Sequence, residues 1–162
     1  AHADSDFAEK VVAVVLPVNA AVVVTLQYAL GRKISASNIR PLMTAATLFF
    51  IVGLAGFMLS GENLIYWGIA AAIFTLGEII YAPGEYMLID NIAPPGMKAS
   101  YFSAQALGWL GAAANPMITG IILTNLPHWS LFVIMMAAII VAWLMILRGM
   151  SVKAWCESPK AA

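Results

Sequence analysis

Two carboxylates sit inside one apolar stretch, Thr75-Leu76-Gly77-Glu78-Ile79-Ile80-Tyr81-Ala82-Pro83-Gly84-Glu85-Tyr86. Glu78, Tyr81 and Glu85 follow each other at i, i+3 and i+7, so a helix would carry them on one face. Glu85 would lie about 10 Å beyond Glu78, at a rise of ~1.5 Å per residue. A carboxylate in an apolar medium binds its proton more tightly than one in water, which is the property a site that loads and releases protons requires. The structural alternative is a glutamate held by a hydrogen bond from a neighbouring helix. Pro83 offers no N–H to the carbonyl of Ile79, and Gly84 loosens the same turn. That turn can therefore bend the helix or present a free carbonyl to a cation.

A second set of polar residues has helical spacing: Gln105, Gly108, Ala112, Asn115 and Thr119. Small residues on such a face let helices approach closely, and amides hydrogen-bond between helices. Gly108 and Ala112 read as packing positions, whereas Gln105 and Asn115 read equally as helix glue or as solute contacts. Pro116 frees the carbonyl of Ala112. Further upstream, Pro17-Val18-Asn19 places an amide in mid-stretch, a structural hydrogen bond or a ligand, with Gln27 nearer the end of that stretch.

The elements that position these groups follow from composition. Of 162 residues, 62% are hydrophobic and 10% charged, against about 25% charged in soluble domains. The apolar residues cluster in five blocks, about 11–30, 42–59, 64–89, 101–126 and 131–147, each near the ~20 residues that cross a bilayer as a helix. Alternating polarity is absent, so the blocks read as helices, which satisfy their backbone hydrogen bonds internally. The expectation is an all-α polytopic membrane protein in a lipid bilayer. Spans one, three and four carry the polar groups and are expected to face a cavity; spans two and five are expected to face lipid.

Charge sets the orientation. With the N-terminus outside, Arg32, Lys33, Arg40, Lys98, Arg148, Lys153 and Lys160 lie inside and Lys10 alone lies outside, the asymmetry of cytoplasmic loops. The expected orientation is outside at the N-terminus and cytoplasmic at the C-terminus. Eight basic and eight acidic residues cancel, so nothing points to a nucleic-acid partner. Cys156 is the single cysteine, which excludes a disulfide framework. His128 reads as a solvated loop residue. No nucleophile elbow, phosphate-binding glycine loop or metal-ligand spacing is present, so neither an enzyme nor a cofactor is expected. The start at Ala1 carries no signal-peptide pattern and reads as the interior of a longer protein.

The run from Gly77 to Pro83, through Ala93-Pro94-Pro95 to Ala99-Ser100-Tyr101-Phe102-Ser103, resembles the end of the tenth helix and the following loop of major facilitator superfamily exporters. Gly108-Trp109-Leu110-Gly111, Asn115-Pro116-Met117 and Gly120 resemble the eleventh helix. The resemblance covers essentially the whole chain, as helices eight to twelve of the C-terminal bundle. It implies two six-helix halves around a midplane site, worked by alternating access, with helices eight, ten and eleven lining the cavity. It also implies proton-coupled efflux of drugs, short peptides or similar amphipathic solutes, with the N-terminal half as partner. Two features depart from the family pattern. Helices one to seven have no counterpart here, and Gly31-Arg32-Lys33 with Asn38-Ile39-Arg40 resembles only a degenerate form of the family's loop signature. A non-transporting membrane subunit and an uncoupled facilitator or importer are the competing readings.

Overall fold

A computed structural model describes residues 2–35 and 37–157, with side chains described for residues 6–35 and 37–151. Lys160, and the side chains of Lys153 and Cys156, lie outside that set. Six helices follow in order: α1 (His2–Gly31), α2 (Ile39–Leu59), α3 (Leu64–Ile92), α4 (Lys98–Ala106), α5 (Gly108–Asn125) and α6 (Trp129–Glu157). Among the described residues five segments are long and apolar enough to cross a membrane: Asp6–Gly31, Ile39–Leu59, Leu64–Ile92, Lys98–Asn125 and Trp129–Ser151. The fourth is α4 and α5 together. A single turn at Leu107 separates them, where the N–H of Leu107 bonds the carbonyl of Ala104 and that of Leu110 bonds Leu107, both spaced i to i−3. The chain divides at Gly84–Glu85 into two compact units.

In the first unit α2 and α3 form an antiparallel hairpin closed by Ser60–Asn63. Ser60 Oγ donates to the carbonyl of Gly56, and Trp67 Nε1 donates to the carbonyl of Gly61. Gly61 takes φ +50° in this turn, a conformation that costs glycine nothing. Glycines set the close approach of the two helices. A Cβ on Gly53 would stand 2.7 Å from Phe74 Cβ, and one on Gly77 would stand 3.0 Å from the carbonyl oxygen of Ala46. The backbones therefore meet at the contact, the geometry that small residues permit in membranes. Phe50, Phe57 and Phe74 fill the flanks, with ring centroids 4.9 Å apart for Phe50–Phe74 and 6.1 Å for Phe57–Phe74. Tyr81 packs edge-on against Phe50.

Span two, expected to face lipid, has one side packed within the chain. Leu48, Val52 and Leu59 are exposed, but Met43, Ala46, Gly53 and Leu54 are buried. Polar content was a poor guide there, because close helix packing in lipid depends on missing side-chain volume rather than on hydrogen bonds. α1 runs in the same direction as α3 and meets it where a Cβ on Gly68 would lie 3.3 Å from Val14.

In the second unit the end of α3 is followed by a tight turn in which Gly96 takes φ +83°. Lys98 at the start of α4 pairs with Asp90 at the end of α3, both side chains 53% exposed, and Tyr86 stacks on Phe102 with centroids 6.0 Å apart. Exposed pairs contribute about 0.2–1 kcal/mol. Asp90→Asn is accordingly expected to move the melting temperature of the detergent-purified protein by no more than a few degrees; a large loss would mean that the pair anchors this turn. At the start of α6 both the hydroxyl and the N–H of Ser130 donate to the carbonyl of Pro127.

Candidate functional site

The site is built where α1 and α3 meet. The amide nitrogen of Asn19 donates to Glu78 Oε2 at 2.8 Å and to Thr75 Oγ1 at 2.9 Å. Thr75 Oγ1 in turn donates to the carbonyl of Ala71 at 2.7 Å. Thr75 and Glu78 are one turn apart on α3, which is why a single amide on α1 reaches both. Pro17 stands two residues before Asn19 within α1. Thr75 is fully buried, Asn19 half-buried and Glu78 exposed.

Glu78 opens onto a cavity of about 180 Å³ whose other walls are Val23, Gln27, Ile79, Ala82 and Pro83. The helix continues through Pro83, which has no N–H to give Ile79, so this wall includes a carbonyl without its helical donor. Gly84 seats Met43: a Cβ there would lie 2.8 Å from its sulfur.

Magnitudes bear on the choice between glue and function. An ionisable group at the centre of a membrane helix costs about 2.5–3.5 kcal/mol on insertion scales. An interhelical hydrogen bond in lipid returns ~0.6 kcal/mol on average and at most about 1.7. One bond to Asn19 thus returns less than an ionised carboxylate at a span centre would cost.

Of the residues singled out from the sequence, Asn19 and Glu78 are brought into contact, and Tyr81 lies one turn along the same helix. Glu85, Gln105 and Asn115 belong to the second unit and are described there. Glu85 is half-buried at the end of α3, Gln105 is half-buried on α4, and Asn115 Oδ1 accepts from Thr119 Oγ1 at 3.1 Å on α5. Pro116 lies inside α5, and a Cβ on Gly108 would meet nothing within 4 Å. Two side chains were passed over in the sequence: Thr75, an ordinary residue in membrane helices, and Gln27, noted only as lying near a span end. Among the described residues no group of three or more His, Cys, Asp or Glu is placed to hold a metal.

The sequence is 67% identical over 153 residues to the uncharacterised MFS-type transporter YdeE of Escherichia coli K12. The chain is homologous to a major facilitator superfamily transporter. The match takes in 94% of this chain and 39% of that relative, so the chain spans about two fifths of the transporter it matches. No protein-family profile matches the sequence, and no solved structure does. Among the described residues the secondary structure is helical, with five helical segments long and apolar enough to cross a membrane, and the similarity is to a membrane transporter of the MFS type.

Proposed function

We propose that this chain forms most of the C-terminal half of a proton-coupled exporter in a bacterial inner membrane. Its N-terminus is periplasmic and its C-terminus cytoplasmic. The transporter moves small amphipathic solutes, such as drugs or short peptides, outward by alternating access, with an N-terminal half completing the cavity. Glu78 carries the proton; Asn19 holds it, and Tyr81, Glu85, Gln105 and Asn115 line the solute pathway.

The observation that carries this reading is the Asn19–Glu78 contact between α1 and α3. It joins an ionisable side chain to a second helix, so its charge state is linked to how the two helices sit. Protonation replaces a charge-assisted hydrogen bond, which is about twice as strong as a neutral one, by a weaker contact. That difference is the kind of bias by which a bound proton shifts a two-state carrier.

Inside-out membrane vesicles bearing the full-length transporter test the proposal. With the lumen acidified by respiration, added ethidium or dialanine is expected to release protons, read as recovery of a quenched pH-gradient dye. Uptake of either solute without dye recovery would favour an uncoupled facilitator.

A further inference from the structure

We infer that Thr75 is a positioning residue for the Glu78 proton site: its hydroxyl fixes the Asn19 amide so that an N–H, and not the carbonyl oxygen, faces the carboxylate. The inference rests on the functional reading of Glu78 given above and adds to it a residue linked to Glu78 through the Asn19 amide.

A threonine hydroxyl has one hydrogen, and that of Thr75 is directed to the carbonyl of Ala71, 2.7 Å away. Toward Asn19, 2.9 Å away, Thr75 Oγ1 is left as an acceptor. The group of Asn19 that meets it must therefore be the NH2. The second hydrogen of the same NH2 then points at Glu78 Oε2, 2.8 Å away. Turned by half a rotation, the amide would present its oxygen to both neighbours, and a carboxylate oxygen would face a carbonyl oxygen.

The chain from the Ala71 carbonyl through Thr75 and Asn19 to Glu78 thus has one polarity, with an N–H at the end that meets the carboxylate. With Oε2 already engaged, Oε1 is the oxygen left for the proton and for the cavity beside Gln27. Among the described residues, the other walls of the cavity, Val23, Gln27, Ile79, Ala82 and Pro83, carry no titratable side chain; α1 carries Tyr28 one residue past Gln27, α2 carries Arg40 at its first turn, and Tyr81 and Glu85 follow Glu78 on α3 itself.

Thr75→Ser keeps the hydroxyl and Thr75→Ala removes it, while both lose the same methyl group, so their difference isolates the hydrogen bond from packing. The measurement is the infrared difference spectrum of the purified full-length transporter between acid and alkaline pH. The carboxyl band that vanishes in Glu78→Gln belongs to Glu78. Thr75→Ser is expected to leave this band where the wild type has it and Thr75→Ala to displace it. Proton-coupled transport by Thr75→Ala is expected to fall about tenfold below that of Thr75→Ser, the scale of a lost supporting hydrogen bond around a functional ligand.

Equal bands in the two variants, displaced or not, would reduce Thr75 to a packing residue and overturn the inference. If Glu78→Gln keeps proton coupling while the two bands still differ, the functional reading of Glu78 fails and the positioning role of Thr75 stands.

Discussion

Replacing Glu78 by glutamine in the full-length transporter is expected to leave the protein in the membrane at its normal level and to remove proton-coupled transport. The substitution keeps the shape of the side chain and an oxygen that can accept from Asn19, whose amide lies 2.8 Å from Oε2. Only the ability to hold a proton and a charge is lost. Because an ionisable group is costly in a membrane span, the variant should be no less stable than the wild type. Coupled transport should nevertheless fall by on the order of 100-fold or more, the scale on which reactions depend on a positioned proton-transfer group. The readout is substrate-driven proton movement in inside-out vesicles, normalised to the amount of transporter by immunoblot. Coupling at the wild-type rate would remove Glu78 from the mechanism and leave the pairing with Asn19 as a helix contact. Asn19→Leu provides the complement. It keeps the carboxylate but takes away its partner, and it is expected to impair coupling less than Glu78→Gln does.

The difference between those two variants reflects what was legible in the sequence and what was not. Five apolar blocks of bilayer length announce five helices, because lipid leaves few ways to satisfy a backbone. A glutamate within such a block is conspicuous for the same reason: its cost demands a role. Asn19 was visible as a polar group in mid-span, but its partner was not, since 59 residues separate it from Glu78 and helical periodicity relates only neighbours within a few turns. Thr75 was hidden more completely. A threonine can satisfy itself on its own helix, as Thr75 does on Ala71, and the second bond its oxygen accepts depends on where α1 packs.

Polarity alone gave no packing face for α2. Its threonines, Thr44 and Thr47, donate to the carbonyls of Arg40 and Met43 at 3.1 and 2.9 Å. Its packing face is written in Gly53 and Gly56, whose partners on α3, Phe74 and Ala70, carry no periodic signal of their own. The stripe that did show periodicity, from Gln105 to Thr119, lies along α4 and α5 with a turn at Leu107 between them. Asn115 is bonded along its own helix by Thr119.

The contact at Gly53 leads to the largest expected effect on stability. A Cβ there would stand 2.7 Å from Phe74 Cβ and 2.9 Å from Phe74 Cα, distances that no side-chain rotation can relieve, because neither atom moves with a rotamer. Alanine must push α2 and α3 apart, and in doing so it opens the neighbouring contacts of Phe50 and Phe57 with Phe74. Overpacking of this kind costs about 1–3 kcal/mol, and Gly53→Leu, with three more carbons to place, should reach or exceed the top of that range. The helix-propensity gain from replacing a mid-helix glycine, about 0.5–1 kcal/mol, is too small to compensate. Gly149→Ala, where a Cβ meets nothing within 4 Å, should show that gain alone. The measurement is the thermal unfolding midpoint of detergent-purified full-length protein, with membrane expression alongside. The expected order of stability is Gly149→Ala at or above wild type, then Gly53→Ala, then Gly53→Leu. A Gly53→Leu protein as stable as the wild type would show that α2 and α3 do not pack through this glycine. The antiparallel hairpin, and with it the placement of Thr75 against α1, would then have to be redrawn.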